Sequence, residues 1–226
     1  MKICAFSDTH GQYDFEVKPC DIVLIGGDIV PLKIQKNVDA CEEWLKTFFI
    51  PWCTNLPCEK VVFVAGNHDF IFMDHPERIR DLLKGQDKVI YLECETYEYQ
   101  GKVIYGTPMC KKFYNWAFMP PQEEQKEKYK RHIETIGRID IILSHDCPYG
   151  IADILLQKDC WWADGKHIGN KALRWFVDEA KPELVLEGHL HSCEHGKTMN
   201  GDTAVYNVSL LNEDYKMVYE PLYVEI

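Results

Sequence analysis

Five short apolar runs in the sequence each lead into residues that can bind a metal ion or transfer a proton. The runs are 2–6, 21–25, 61–65, 140–143 and 183–187, and the polar residues after them are Asp8, His10, Asp28, Asn67, His68, Asp69, His145, His189 and His191. Continuous aliphatic runs of this length are typical of strands buried on both faces of a sheet. Ligands of open α/β sheets bind at the carboxyl ends of the strands. The recurrence therefore predicts one site.

The spacing of these residues favours a metal site over separate polar loops. In an extended segment, residues two apart point the same way, so Asp8 and His10 can hold one cation. His189 and His191 repeat this spacing, whereas Asp28 or His145 alone would fit an ordinary turn or a structural histidine equally well. Jointly they predict two metal ions, with Asp28 as the natural shared carboxylate.

The mixed nitrogen and oxygen donors favour first-row divalent ions over Ca²⁺. Mn²⁺ is the preferred prediction, and Fe, Co, Zn or Ni are the alternatives. His68 is left over as a candidate catalytic acid, and neighbouring Asp69 is predicted to hold its ring by a hydrogen bond. The alternatives for His68 are a further metal ligand or a capping residue.

The ordered motifs closely resemble those of the calcineurin-like metallophosphoesterases. They are Asp8-x-His10, Gly27-Asp28, Gly66-Asn67-His68-Asp69, His145 and Gly188-His189-x-His191. The resemblance implies an α/β fold, a four-layer α/β/β/α sandwich with two mixed β-sheets flanked by helices. It also implies one metal held by Asp8, His10, Asp28 and His191, and another held by Asp28, Asn67, His145 and His189. By the same resemblance His68 assists catalysis and Asp69 fixes its orientation.

Within that family the sequence resembles the small single-domain branch that includes metal-dependent cyclic-nucleotide phosphodiesterases. The resemblance rests on the segment from His145 to His191, which carries Trp161, Trp162, His167, Gly169 and Asn170. Two features depart from common family patterns. Ile29-Val30-Pro31 replaces the Arg-rich continuation of the protein Ser/Thr phosphatases, and Asp146-Cys147-Pro148 replaces the commoner Gly-Pro-Pro or Thr-Pro-Pro. The first departure disfavours protein substrates.

Composition limits the range of functions. The chain has 226 residues and is predicted to form a single domain over 1–226, while its formal net charge of −11 and pI of about 5.3 disfavour nucleic-acid binding. No apolar run reaches the roughly 18 residues of a membrane span, and Met1-Lys2 opens directly onto a strand without a signal peptide. The ten cysteines are scattered and predicted to be reduced, so we expect a cytoplasmic protein with no membrane partner.

Periodicity predicts the remaining elements. Helices are expected over 35–50, ending at Pro51, and over 76–83, 122–136 and 169–180. A hairpin is expected over 97–105. After His191 the pattern predicts strands over 194–198, 203–208 and 216–225, with a turn at Asn200-Gly201.

The leading functional hypothesis is hydrolysis of a small phosphodiester or phosphomonoester, such as a nucleotide, by a metal-bound hydroxide at the dinuclear centre. Five aromatic residues either wall the pocket and stack a base or simply pack on the core: Phe113, Tyr114, Trp116, Trp161 and Trp162. A nuclease of the same superfamily is one alternative, opposed by the charge of −11. A non-catalytic metal-binding scaffold is another, opposed by the complete ligand set. The sequence indicates no oligomeric state.

Overall fold

The computed structural model describes residues 1–156 and 165–226. It contains eleven strands: β1 Lys2–Phe6, β2 Ile22–Ile25, β3 Lys60–Phe63, β4 Val89–Tyr91, β5 Glu95–Tyr99, β6 Lys102–Thr107, β7 Ile141–Ser144, β8 Leu184–Glu187, β9 Thr198–Asn200, β10 Thr203–Asn207 and β11 Leu222–Glu225. Its α-helices are α1 Val38–Trp44, α2 Ile50–Asn55, α3 Phe70–Asp74, α4 Pro76–Leu83, α5 Gln122–Ile136 and α6 Lys171–Ala180. None of these helices has the length and apolarity that a membrane crossing requires.

The strands form two mixed sheets, as the sequence predicted. The first has the order β11-β1-β2-β3-β4, in which only β11 runs antiparallel to its neighbour. The second has the order β5-β6-β7-β8-β10-β9, with antiparallel pairs at its two edges. The central strands of both sheets are therefore parallel, so their carboxyl ends meet along one edge.

Three apolar clusters build a four-layer α/β/β/α sandwich. Alternate residues of β1 show the division, because Ile3 and Ala5 face the second sheet whereas Cys4 and Phe6 face the helices. The core between the sheets contains residues of both, such as Leu24 of β2 and Leu143 of β7. On the outer face of the second sheet, α5 and α6 pack through residues that include Tyr129 and Phe176, whose rings stack at 4.4 Å. The predicted fold class is confirmed.

The helix expected to end at Pro51 continues past it. A π-helical segment, Leu45–Phe49, follows α1, and the Ile50 N–H bonds to the Leu45 carbonyl five residues back. Pro51 then lies in the first turn of α2, a position at which proline is tolerated. The prediction that Pro51 terminates the helix was wrong because the widened π-turn lets a new helical turn begin there.

The carboxy-terminal strands also differ from prediction. No strand covers 194–197, and β9 begins only at Thr198; the expected hairpin forms between β9 and β10, but its turn lies at Gly201-Asp202, one residue later than predicted. The strand expected from residue 216 is reduced to β11, which joins β1 in the first sheet. A turn lies just before the predicted strand, in which the side-chain oxygen of Asn212 accepts the N–H groups of Asp214 and Lys216.

Candidate metal centre

The aligned strand ends bring the predicted site residues together. Asp8 follows β1, Asp28 follows β2, Asn67 follows β3, His145 follows β7, and His189 follows β8. They adjoin an open pocket of about 450 Å³. Its lining residues are His10, Asp28, Leu32, Gln35, Asn67, His68, Phe113, Trp116, His189, His191, Glu213 and Tyr215. The prediction that separate strands deliver one cluster agrees with this arrangement.

Four of the predicted ligands have left-handed backbone conformations. The φ angles are 55° at Asp8, 45° at His10, 51° at Asp28 and 68° at His189. Such conformations cost non-glycine residues about 1–3 kcal/mol each and persist only where surrounding contacts impose them. Here the Asp8 N–H donates to the Gly27 carbonyl and the His10 N–H to the Asp28 carbonyl. The sharp turns aim side chains from neighbouring loops at one point.

The first group of ligand atoms consists of Asp8, His10 and His191, which lie within 4.8 Å of one another. The Nδ1–H of His191 donates to the Asn212 carbonyl at 3.1 Å, and its Nε2 faces Asp8 Oδ1 at 3.3 Å. The Asp8 carboxylate also accepts the Ser209 hydroxyl at 2.7 Å. These contacts fix which atoms of His191 and Asp8 point into the site.

The second group surrounds His145. Its Nδ1–H donates to the Gly26 carbonyl at 2.8 Å, so Nε2 points at Asn67 Oδ1, 3.0 Å away, and at Asp28 Oδ2, 3.5 Å away. The ring of His189 lies 5.2 Å from that of His145. A carbonyl acceptor behind a ring nitrogen is the usual arrangement that presents the other nitrogen to a metal.

Asp28 lies between the two groups. Its Oδ2 is 3.6 Å from His10 Nε2, which belongs to the first group, and 3.5 Å from His145 Nε2 in the second. A side chain at Gly66 would overlap the Asp28 carboxylate, so glycine is required for this close approach. Asp28 therefore has the position that a bridging carboxylate needs.

The pKa values of the cluster are shifted because buried carboxylates lie among histidines. Burial raises the pKa of Asp8, but its hydrogen bond to His191 and that residue's charge bring it below the usual range. Burial likewise raises the pKa of Asp28, but the charges of His145 and His68 outweigh this effect, so the pKa of Asp28 also lies well below its usual value. Burial lowers the pKa of His145 and His191, but the carboxylates outweigh it and raise them to about 10 and about 9.

The donor set fits divalent cations. In the described ranges, the ion-pair partners of Asp8 and Asp28 are all histidines, which can give up a proton and bind a metal ion instead. His10 Nδ1 is buried without a hydrogen-bond partner among the described residues. Buried carboxylates of this kind are paired or coordinate metals. Carboxylate, amide and imidazole donors from these loops can hold such ions.

The predicted contact between Asp69 and the His68 ring is absent. Both oxygens of Asp69 instead accept backbone N–H groups from Ile29, Val30 and Gly66, at 2.8–3.2 Å. These donors belong to two tight turns and require an acceptor, so Asp69 turns beneath the loops rather than toward His68. It ties the Asp28 turn to the turn at Gly66, and burial together with the Asp28 charge raises its pKa to about 7.

Gln35 is the observed partner of His68, and the sequence motifs did not reveal it. The Nδ1–H of His68 donates to Gln35 Oε1 at 2.6 Å, and the Trp116 ring covers the imidazole at 4.3 Å. His68 Nε2 is thereby left facing Asp28 Oδ2 at 4.0 Å. Gln35 lies in the loop before α1, and no spacing rule connects it to the strand-end residues.

Two of the five predicted wall aromatics, Phe113 and Trp116, line the pocket. Tyr114 does not line it and is 75% exposed, while Trp161 and Trp162 lie outside the described residues. Tyr215 is a wall residue that the sequence did not indicate, with its ring 5.0 Å from that of His10. It reaches the site on the turn that precedes the predicted strand over 216–225.

The fold and this ligand cluster together define a metal-dependent phosphoesterase. The chain belongs to the calcineurin-like phosphoesterase family, whose family model matches residues 1–193. It is accordingly a hydrolase that acts on phosphoesters with divalent metal ions. The chain is 26% identical to metallophosphoesterase domain-containing protein 1 of Homo sapiens, over 97% of this chain and 69% of that protein.

Two solved structures share the fold. The protein TT1561 of Thermus thermophilus is 15% identical with a TM-score of 0.58, covering 91% of this chain and 88% of that one. Phosphopantetheinyl hydrolase from Mycobacterium tuberculosis is 14% identical with a TM-score of 0.53, covering 95% and 90%. At these identities the similarity establishes the architecture alone.

Proposed function

We propose that this protein hydrolyses small phosphodiesters at a dinuclear metal centre. The observation that carries the proposal is the position of Asp28, whose Oδ2 lies 3.5–3.6 Å from ring nitrogens of His10 and His145 in two different ligand groups. A carboxylate shared between two ions holds them at the separation of about 3.5–4 Å that an in-line displacement at phosphorus uses.

The two ions would be held by two sets of side chains that share Asp28. Asp8, His10 and His191 form the first set, and Asn67, His145 and His189 form the second. When bound, the metals supply the positive charge that activates a water nucleophile and neutralises the phosphate. Mn²⁺ is the ion proposed, with Fe, Co, Zn or Ni as alternatives.

His68 is the proposed proton donor. Its Nδ1–H is engaged by Gln35, so Nε2, on the pocket side, is the atom that can deliver a proton to the leaving oxygen. Burial lowers the pKa of His68, which makes its protonated ring a stronger acid toward a departing alkoxide. The clamp between Gln35 and Trp116 orients the ring in advance.

The pocket lining favours a diester over a monoester. Among the described residues that line it there is no lysine or arginine, and Glu213 adds a negative charge. A phosphodiester carries one negative charge and a monoester up to two at neutral pH, so the diester needs less cationic compensation beyond what the two metal ions supply. Phe113 and Trp116 offer apolar faces for a flat group such as a nucleobase, which makes a small nucleotide ester a suitable substrate.

The net charge and the cysteines support the remaining proposals, which concern nucleic acids and cellular location. The net charge of −11 disfavours DNA and RNA as substrates, because they would need phosphate-binding cations. Nine cysteines of the described residues are free thiols, which supports the proposal that the protein acts in the reducing cytoplasm.

The test compares bis-p-nitrophenyl phosphate with p-nitrophenyl phosphate on protein stripped of metal and reloaded with Mn²⁺. We expect a higher kcat/KM for the diester and no turnover without metal. Asp202→Asn, which changes an exposed carboxylate, is the control and should behave as the unaltered chain. A preference for the monoester, or no hydrolysis with any of the proposed ions, would contradict the proposal.

A further inference from the structure

A cysteine lies beside the second ligand group, outside every strand-end motif. The Sγ of Cys110 and one ring nitrogen each of His145 and His189 lie within 4.8 Å of one another. Cys110 follows β6, whose neighbour β7 delivers His145, and Thr107 pairs with Ser144 in the parallel register. Because β6 is parallel to β7, its carboxyl end lies at the same edge of the sheet as His145, which is the edge that carries the metal site.

The backbone holds Cys110 firmly in this position. Its N–H donates to the Phe118 carbonyl at 2.8 Å, and its carbonyl accepts the Gln125 side-chain amide at 2.7 Å. The residue is fully buried. Its thiol makes one long contact, to the Pro108 carbonyl at 3.4 Å. The sulfur is thus fixed near two histidines without a strong hydrogen bond to compete with another interaction.

The distances approach those of a coordinated ion. With bonds of about 2.3 Å from metal to sulfur and about 2.0–2.1 Å from metal to nitrogen, tetrahedral donors lie roughly 3.3–3.6 Å apart. The three atoms of this group lie within 4.8 Å of each other. Small side-chain rotations on metal binding would close that difference.

We propose that Cys110 is a thiolate ligand of the second metal ion, together with His145 and His189. The inference rests on the proposed dinuclear centre and deepens it. On binding, the S–H bond breaks, the sulfur electron pair forms the bond to the metal, and the proton passes to solvent.

A thiolate makes the two positions chemically unequal. The first set offers a carboxylate and two imidazoles, which suit Mn²⁺ as well as the softer ions. Sulfur beside His145 and His189 favours Zn²⁺, Fe²⁺ or Co²⁺ over Mn²⁺. The protein is therefore suited to two different metals, with the thiophilic ion in the second position.

Cobalt provides a direct test that does not depend on turnover. Metal-free protein is titrated with Co²⁺, and the ions bound per chain are counted while the near-ultraviolet absorption is recorded. We expect two ions per chain and a thiolate-to-cobalt charge-transfer band, which Cys110→Ser and Cys110→Ala abolish. Cys53→Ser is the matched control, because Cys53 is equally buried but lies in α2, and it should keep the band.

Competition between ions adds a second readout. Loss of partners that merely support metal ligands typically lowers affinity about 10–100-fold. We expect Cys110→Ser to lower Zn²⁺ affinity at one position by at least as much and to change Mn²⁺ affinity far less. Two bound Co²⁺ ions without the band, or a band that survives in Cys110→Ala, would overturn the role of Cys110. Fewer than two ions in the unaltered chain would instead contradict the dinuclear centre.

Discussion

Replacing Gln35 with alanine should slow catalysis by loosening His68 without disturbing the metals. The side chain makes a 2.6 Å hydrogen bond to His68 Nδ1, while Trp116 covers the ring at 4.3 Å and remains in the variant. One hydrogen bond contributes about 0.5–1.5 kcal/mol, which corresponds to a decrease of about 2- to 13-fold in kcat. His68→Asn removes the proton donor itself and should cost about 10²–10⁴.

The assay is a double-mutant cycle on two diesters. An alkyl diester needs its leaving oxygen protonated, whereas p-nitrophenolate leaves as a stable anion, so both losses should shrink on the p-nitrophenyl substrate. If Gln35 acts only through His68, Gln35→Ala/His68→Asn will be no slower than His68→Asn. Gln100→Ala, in an exposed hairpin turn, serves as the matched control.

Three results would refute this reasoning. If the double variant were slower than His68→Asn by the full Gln35→Ala factor, Gln35 would act on the substrate and not through the histidine. Equal losses on both diesters would exclude His68 as a proton donor. Loss of bound metal in His68→Asn would make that residue a ligand.

Three further predictions follow from the ligand cluster. Asp28→Asn should abolish turnover and lower occupancy of both ions, because a neutral amide bridges two cations poorly; metal analysis showing two ions at full affinity would contradict this. Asp69→Asn should lower the free energy of unfolding by about 1–3 kcal/mol, since one buried N–H of the two turns loses its acceptor; an unchanged urea midpoint for the metal-free protein would oppose it. In the metal-free protein the pKa values of His145 and His191 are raised to about 10 and about 9, so at pH 8 metal binding should release protons from both rings, measured by calorimetry in buffers of different ionisation enthalpy. Because both folded-state values exceed the unfolded value near 6.5, the contribution of these two rings to metal-free stability should be complete below about pH 6.5 and be lost as pH rises toward 9–10; a stability that stays flat between pH 7 and 10 would contradict the raised values.

The positions of the strand-end ligands could be predicted because two simple rules apply together. Continuous apolar runs indicate buried parallel strands, and parallel strands align their carboxyl ends. Asp28 and His145 are far apart in the chain, and those rules placed each at the carboxyl end of a strand; the packing of the two sheets brings the two ends together. The same rules could not say which oxygen or nitrogen faces the metal, because the carbonyls that orient the rings, at Gly26 and Asn212, come from backbone turns.

The contacts that sequence reasoning missed all depend on loops meeting across the fold. Adjacency in sequence suggested that Asp69 holds His68, but its carboxylate instead accepts hydrogen bonds from three backbone N–H groups of nearby turns. The residue that holds His68 is Gln35, which lies in a loop that carries no motif. Cys110 resembled the other buried thiols until the register of β6 against β7 placed it beside His145. Each outcome depends on tertiary packing, which local spacing does not encode.

The central claim is that two ions share Asp28, and anomalous diffraction from crystals of the Mn²⁺-loaded protein tests it most directly. The account predicts two peaks about 3.5–4 Å apart, one beside Asp8, His10 and His191 and the other beside Asn67, His145 and His189, with the Asp28 carboxylate between them. A single peak at full metal loading, or two peaks of which only one contacts Asp28, would contradict it.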